Sequence, residues 1–461
     1  MRGPGGDLRV RKPEHLDQNS KSGTECSAVR ELRKRQWTVM VYMTGDRTLD
    51  SNGFADLKEM KEAGSTEEVA LLAQFTRGVR HRPTKRYYLR RDKRNGTLAA
   101  DVADELGEKN TADPQVLEDF VRWGVENFPA RRYMLVMWGH ANGADDENVP
   151  GTAGHPQPPS ENSSDPDLNS RAVSHRPDAA FNTLARGIGL SHTPALDGGT
   201  IDFLDCREFK RALESVRQIT GREIDILGMD ACLMSGAEVC YQVRDSARFT
   251  VAPEGTAPLD GWPYNLIFGE LVARPEIETE QLACLIAEKY LDAYADYEDV
   301  CITHSVCDLG KCGALAGAVD GLAAALLDAL AEEESWKAMM LSRWQSQSFE
   351  GTDYVDLYDF CNLLRENCYR AEVRDACEAV MKVVRADGFV LKSVYRDAVM
   401  QYCYGLSIYF PQREVSRSYR GLDFAVDTRW ADFLDGFVNR IRRPDRGLTA
   451  AVAAADSAFI F

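Results

Sequence analysis

The sequence predicts an α/β fold: a doubly wound, mainly parallel sheet flanked by helices, with a helical and mixed C-terminal region. Between residues 37 and 140, short apolar runs typical of strands alternate with amphipathic helical repeats. That alternation is the pattern of parallel strands joined by crossover helices. Two runs, 133–138 and 224–230, are nearly continuously apolar, which indicates strands buried on both faces.

The remaining elements follow from the same periodicities. Strands are predicted at 37–43, 69–75, 86–90, 247–252 and 404–410, and helices at 116–125, 277–297, 313–333 and 428–441. A further helix is predicted to begin with the segment 354–360, from Tyr354 onward. Asp205 and Glu208 have the spacing of a capping box, which places another helix start there.

Composition limits the classes of function. The chain has 461 residues, 44% of them hydrophobic, enough to form the core of one large domain or two. Its formal net charge of −17 argues against nonspecific nucleic-acid binding and suits cationic substrates. The twelve cysteines include no Cys-x-x-Cys pair, so we predict reduced thiols and no metal site.

Targeting signals are not evident. No apolar run approaches the roughly 18 residues of a membrane-spanning helix, and the segment up to Arg35 is polar and basic, without the apolar centre of a signal peptide. We therefore expect no membrane association and a cytoplasmic location. Secretion stays open if the true start of the chain lies elsewhere, and the sequence predicts no oligomeric state.

Four regions are predicted along the chain. Residues 1–36 form a disordered basic arm, with nine Lys or Arg against five Asp or Glu. Residues 37–264 form the core, interrupted at 144–199 by a long flexible insertion that holds seven of the 18 prolines. Residues 265–447 form a C-terminal α/β portion packed on the core, and 448–461 a frayed tail.

Cys232 stands between the apolar run 224–230 and an apparent helical repeat that starts at Leu233. This position is the carboxyl edge of a parallel sheet, where open α/β folds bind ligands. A helix starting there would also favour the thiolate. The alternative is a buried structural cysteine, the common setting of free Cys.

His140 ends the other buried run, and among the seven histidines it alone holds such a position. A Cys and a His at the ends of parallel strands place a nucleophile and a proton-transfer group at one sheet edge. The alternative is a strand-end histidine held by local hydrogen bonds.

Five parts of the chain carry a family resemblance. They are Trp37–Asp46, Leu135–His140, Ile224–Glu238, Val251–Glu254 with Asp260–Tyr264, and Tyr404–Pro411 with the segments 424–425 and 430–434. In residues and order they resemble the clostripain-like cysteine peptidases, relatives of caspases, gingipains and legumains. The resemblance extends from Trp37 to about Leu434 and implies a caspase-like cysteine endopeptidase.

The resemblance implies roles for single residues. Cys232 would be the nucleophile of a Cys-His dyad that forms a thioester acyl-enzyme, and His140 would protonate the leaving amine. The N–H groups of Gly139, Ala141 and Cys232 would hold the oxyanion. The family usually has Gly where this chain has Ala141, at a turn expected to be tight for Ala.

The family cleaves after basic residues, with Arg preferred. Asp230 matches an acidic pocket residue that would bind a guanidinium bidentately. Asp260 and Trp262 are further candidates for substrate binding. As alternatives, Asp230 could cap the following helix and Asp260 could serve only a turn. The predicted partners are polypeptides with basic residues.

The insertion offers Arg171, Arg176 and Arg186 for self-cleavage, although it could equally be a spacer or a site for another protease. No cofactor is required, and calcium dependence is implied by the resemblance alone, because no calcium-loop pattern occurs. Two other functions remain open: a non-catalytic scaffold or regulator, which Ala141 favours, and a ligase or a peptidase specific for Asp or Asn.

Overall fold

The computed structural model describes residues 34–45, 49–77, 82–91, 97–141, 143–144, 188–191, 202–297, 300–349 and 353–442. Within Arg35–Phe461 the described residues form one compact unit. Most of the predicted arm, most of the insertion with its three arginines, and the predicted tail lie outside the described residues.

The described residues form fourteen strands, and nine of these strands make up one large sheet. In chain order the strands are β1 (Arg35–Thr44), β2 (Val69–Thr76), β3 (Lys85–Tyr88), β4 (Val102–Glu105), β5 (Ala130–Trp138), β6 (Ile188–Ser191), β7 (Asp202–Leu204), β8 (Ile224–Asp230), β9 (Ala247–Ala252), β10 (Ile302–Asp308), β11 (Ser348–Phe349), β12 (Tyr354–Asp356), β13 (Val390–Arg396) and β14 (Ser407–Tyr409). The sheet order is β13-β10-β9-β8-β5-β1-β2-β3-β4. The five central strands, β9 to β2, are mutually parallel, and the outer strands are antiparallel. The predicted fold class is therefore confirmed.

Helices cover both faces of this sheet. They are α1 (Asp50–Ala63), α2 (Pro114–Asn127), α3 (Cys206–Thr220), α4 (Ala237–Val243), α5 (Tyr264–Ala273), α6 (Thr279–Ala293), α7 (Cys312–Ala329), α8 (Glu333–Gln345), α9 (Leu357–Asn367), α10 (Ala371–Met381), α11 (Asp423–Asp427) and α12 (Trp430–Arg442). Alternate residues of β1 enter two separate cores: Met40 and Tyr42 face α2 and α3, and Val39 and Val41 face α1, α5 and α6. This alternation is why the central strands are apolar on both faces.

Local signals account for several boundaries. The predicted capping box forms, because Asp205 Oδ1 accepts from the Glu208 N–H and Glu208 Oε2 accepts from the Asp205 N–H. The helix predicted to start at Tyr354 begins only at Leu357. The three residues before it form β12, which pairs with β11 and β14 in a small second sheet. β6, which lies inside the predicted insertion, pairs with β7, which follows the insertion.

The second half of the chain extends the sheet begun by the first. Strands β10 and β13, both beyond residue 264, add to the edge formed by β9. The predicted boundary at 264 therefore falls between elements that share one sheet. β1 begins at Arg35, two residues inside the predicted arm.

One described helix has the length and composition of a membrane span, namely Leu309–Ala329, which includes α7. The sequence predicts no such helix. Leu315, Val319 and Leu322 on this helix are fully buried, and α7 packs against α10 and α12. Asp320 forms an ion pair with Arg429 at 2.5 Å. These contacts are those of a core helix.

Candidate active site

Cys232 lies in a loop between β8 and α4, and not at a helix start. The helical repeat predicted from Leu233 is wrong at its beginning, because Leu233 has a φ of 62° and α4 starts only at Ala237. The expected influence of a helix N-terminus on the thiol is therefore not part of this site. A left-handed Leu is a strained backbone conformation of the kind found at functional loops.

Main-chain and side-chain contacts fix this nucleophile loop, residues 231–236. The N–H groups of Leu233 and Ser235 donate to the carbonyls of Gly255 and Pro253, at 2.9 and 2.8 Å. The Ser235 hydroxyl lies 2.7 Å from the Ser305 hydroxyl. The loop that follows β9 thus holds the nucleophile loop in place from one side.

The histidine loop, residues 139–144, leaves the neighbouring strand β5. Gly139 has a φ of 146°, and a Cβ there would collide with the Thr44 hydroxyl, so this position requires glycine. A Cβ at Gly143 would lie 2.9 Å from the Leu233 carbonyl oxygen. The two loops therefore pack directly against each other at the carboxyl edge of the sheet.

His140 and Cys232 line one pocket at that edge. Its described lining is Leu49, Trp138, Gly139, His140, Asp230, Ala231, Cys232, Ala257, Pro258, Leu259 and Gly261. Cys232 is 8% and His140 7% exposed. Cys232 Sγ accepts from the Ala257 N–H at 3.3 Å and lies 4.0 Å from the Ala257 carbonyl oxygen, to which the thiol can donate.

The predicted oxyanion donors differ in their surroundings. The Gly139 N–H donates to the Asp230 carbonyl at 3.2 Å, so it is the weakest of the three candidates. The N–H groups of Ala141 and Cys232 stay predicted oxyanion donors. Ala141 does not adopt a positive φ, so the tight turn expected at this position does not form, and alanine fits there.

Asp230 lines the same pocket from the end of β8. Its Oδ2 accepts hydrogen bonds from the Trp262 N–H at 3.0 Å and the Tyr264 hydroxyl at 2.9 Å. Burial raises the pKa of Asp230 to about 6, against the opposing effect of these two bonds. The carboxylate is thus ionised at neutral pH. Because both bonds go to Oδ2, Oδ1 is the oxygen left for a cationic ligand.

The other two predicted substrate residues stand outside the described pocket lining. Asp260 lies in an exposed turn beside Gly261. The Trp262 side chain is fully buried, with its ring 5.5 Å from that of His304. The predicted role of Trp262 is corrected accordingly: its side chain is packed away from the pocket, and its main-chain N–H holds Asp230.

Sequence reasoning missed the acids that α1 contributes beneath the pocket. Asp56 Oδ2 accepts from Trp138 Nε1–H at 2.6 Å, and Glu59 Oε2 accepts from the Tyr264 N–H at 3.0 Å. Burial, followed by the charge of Asp230, raises the pKa of Asp56 to about 9. The one available signal was their placement beside the apolar positions 57 and 60 of α1.

Metal binding has no evident place in this arrangement. The ranges that the structure describes contain no group of three or more His, Cys, Asp or Glu side chains placed to hold an ion. Calcium dependence stays a prediction.

Comparison with known proteins identifies the family. The sequence model of the clostripain family, peptidase family C11, matches residues 41–157 and 191–437. Clostripain from Hathewaya histolytica is 24% identical over 408 residues, covering 76% of this chain and 70% of that protein.

Solved structures share the fold. A secreted C11 cysteine protease from Bacteroides thetaiotaomicron, in complex with an irreversible peptide inhibitor, is 19% identical with a TM-score of 0.61, over 86% of this chain and 99% of that one. An inactive zymogen C11 protease from Parabacteroides distasonis is 18% identical with a TM-score of 0.57, over 86% and 98%. Since the family model matches most of the chain, this protein belongs to the clostripain family and is a cysteine peptidase that acts on polypeptides.

Proposed function

We propose that this peptidase cleaves polypeptides after basic residues, with Arg preferred, through a dyad of Cys232 and His140. One observation carries the proposal. A single pocket at the carboxyl edge of the sheet is lined by a thiol, an imidazole and a buried carboxylate that is ionised at neutral pH. These groups supply a nucleophile, a proton carrier and a cation receptor in one place.

In the proposed reaction, the Cys232 thiolate attacks the scissile carbonyl carbon. The resulting oxyanion accepts hydrogen bonds from the N–H groups of Ala141 and Cys232. The C–N bond then breaks as His140 gives a proton to the leaving amine, and a thioester remains on Cys232. His140 takes a proton from water, whose oxygen attacks the thioester, and the thiolate is released with the new carboxyl terminus.

Asp230 accounts for the choice of substrate. A guanidinium in the pocket would meet a carboxylate that is already fixed by two hydrogen bonds at Oδ2, and its planar set of N–H donors can reach Oδ1. Lysine offers the same charge without that geometry. An Asp side chain would bring a second negative charge, and an Asn side chain would leave the buried carboxylate without a counter-ion.

A panel of fluorogenic peptides with Arg, Lys, Asn or Asp at the cleavage position tests the proposal, assayed with and without calcium. We expect the Arg substrate to be hydrolysed fastest and the Lys substrate next, with Asn and Asp near background. Faster hydrolysis after Asn or Asp would favour the alternative specificity. A folded protein that hydrolyses none of the four would favour the non-catalytic scaffold.

We also propose that the protein cleaves its own insertion, at Arg171, Arg176 or Arg186. The supporting arguments are the polar, proline-rich composition of 144–199, which is typical of easily cleaved segments, and its start beside His140. One structural relative is described as an inactive zymogen. Mass spectrometry should find new termini at residue 172, 177 or 187 in wild type and not in Cys232→Ala. An intact wild-type chain with full activity would contradict the proposal.

A further inference from the structure

We propose that Asp56 is a specificity-determining residue of this pocket: it fixes the Trp138 wall and releases its proton when a cationic side chain binds Asp230. The inference rests on the proposed function, because it requires a cation in the pocket. Asp56 lies on α1, outside the segments that carry the family resemblance.

The geometry links Asp56 to the pocket through a single side chain. Trp138 and Asp230 are directly paired in register between β5 and β8, so their side chains project from the same face of the sheet. Trp138 and Asp230 both line the pocket. The one polar atom of the indole, Nε1, donates to Asp56 Oδ2 at 2.6 Å. Asp56 therefore sets the orientation of the pocket wall next to Asp230.

Asp56 is 2% exposed, and the titratable groups around it are acids and phenols. They are Asp230 at the end of β8, Glu59 on the same helix, Asp260 in the turn before α5, Tyr264 at the start of α5, and Tyr294 at the end of α6. Burial and the three acids raise the pKa of Asp56, against the Trp138 N–H, to about 9. At neutral pH, before a ligand binds, Asp230 thus carries a negative charge and Asp56 keeps its proton.

A cation on Asp230 changes this balance. Its positive charge offsets the negative charge of Asp230, which after burial is the largest cause of the raised pKa of Asp56. The O–H bond of Asp56 then breaks, the proton passes to the buffer, and the carboxylate stays hydrogen-bonded to Trp138. The bound cation is then near two carboxylates, Asp230 in the pocket lining and Asp56 on the far side of its hydrogen bond to Trp138. A neutral substrate side chain causes no proton release from Asp56. Asp56 therefore increases the preference of the pocket for cationic over neutral side chains.

The pH dependence has a definite sign. Between about pH 6, where Asp230 ionises, and about pH 9, where Asp56 ionises before a ligand binds, binding of a cation expels a proton. Affinity for the cation must therefore rise with pH across this window. Each unit by which binding lowers the pKa of Asp56 contributes up to about a tenfold gain in affinity.

Titration calorimetry with benzamidine, an amidinium cation, tests the release directly. Binding to the full-length wild-type protein is measured at pH 8 in two buffers with different heats of protonation. We expect a buffer-dependent heat that corresponds to release of part of one proton. Asp56→Asn keeps an oxygen that accepts from Trp138 and has no proton to lose, so its heat should be independent of buffer. Glu62→Gln, which removes an exposed acid from the same helix, should behave as wild type.

Kinetics give a second readout. For an Arg substrate, KM of the wild type should fall about threefold to tenfold from pH 7 to pH 9, while in Asp56→Asn it should stay nearly constant and kcat should follow the wild-type profile. A purely structural role would change kcat or stability and leave the KM profile alone.

Two results would overturn the inference alone: benzamidine that binds wild type without proton release, or equal release from Asp56→Asn. If benzamidine does not bind wild type and Arg peptides are not cleaved, the proposed specificity fails together with this inference.

Discussion

Buried acids lie on both sides of the nucleophile loop, and the two groups differ in what they contact. On the side of α1 and α5, Asp56 and Asp230 adjoin the pocket. On the side of α4, Glu238, Glu254 and Asp356 are fully buried and bind main chain. Their carboxylates accept from the N–H groups of Tyr409, Gly405 and Tyr404, at 3.0, 2.9 and 2.6 Å.

The second group anchors the segment 404–409, which in turn holds the nucleophile loop through the bond from the Ser407 N–H to the Ser235 carbonyl. Burial raises the pKa of acids in both groups. A raised pKa therefore does not by itself mark a binding residue in this protein. The distinguishing feature is the cavity beside Asp230, so substitutions in the first group should change specificity and those in the second should change stability.

The largest effect is expected from substitution of the dyad, Cys232 and His140. Cys232→Ala and His140→Ala should each abolish hydrolysis of an Arg peptide, because each removes a group that takes part directly in bond breaking. Circular dichroism and thermal melting should show intact folding, since both side chains line the pocket. Hydrolysis by either variant at the wild-type rate would show that another residue performs the chemistry.

In the first group of acids, beside the pocket, Asp230→Asn should lower kcat/KM for Arg substrates by about 100-fold to 1,000-fold. Loss of a partner from a buried charge pair costs roughly 3–5 kcal/mol, less the part that solvent in the open pocket recovers. Substrates with neutral side chains should be affected far less. An unchanged ratio between Arg and neutral substrates would assign recognition to another group.

In the second group of acids, which anchors the segment 404–409, Glu238→Gln should change how the free energy of unfolding depends on pH. Burial raises the pKa of Glu238 from 4.5 to about 7, so its contribution to the free energy of unfolding is complete below pH 4.5 and is lost as the pH rises through 7. The loss amounts to about 3 kcal/mol. Glutamine can accept from Tyr409 and Tyr419 as Glu238 does, without the cost of ionisation.

The Tm of Glu238→Gln relative to wild type should therefore increase between pH 5 and pH 8, by several degrees. Specificity toward the four peptides should stay as in wild type. A constant Tm difference across this range would mean that Glu238 is not protonated in the fold, and a changed specificity would remove the distinction between the two groups of acids.

The sequence was sufficient for the features that depend on local pattern. Cys232 and His140 could be placed because each follows a strand whose apolar run identifies it, and parallel strands bring their carboxyl ends to one edge. Asp56 could not be placed, because its partner Trp138 is 82 positions away. An acid beside apolar helix positions carries no sign of which strand it will meet.

Two other errors have the same origin in distant contacts. The repeat from Leu233 has helical spacing, yet Gly255 and Pro253 bind the loop N–H groups and delay the helix to Ala237. Tyr354 precedes a true helix, yet pairing with Tyr409 of β14 makes it a strand residue. In both cases hydrogen bonds to remote segments outweigh local propensity.

The smallest effect is expected for Tyr354. It tests whether β12 and the elements packed around it position His140 for catalysis. Its hydroxyl accepts from the Ala144 N–H at 2.9 Å, which ties the histidine loop to β12. Tyr354→Phe leaves that buried N–H without this acceptor, at a cost of about 1 kcal/mol. The histidine loop should then hold His140 less firmly against the bound peptide.

We expect kcat for an Arg peptide to fall about fivefold with KM nearly unchanged, because the pocket that binds the side chain is intact. Tyr358→Phe is the matched control: it removes a hydroxyl in the first turn of α9, where the ring packs on Tyr404. If both variants lower kcat equally, β12 and α9 stabilise the fold without positioning His140. If KM rises and kcat stays unchanged, the histidine loop contributes more to substrate binding than to proton transfer.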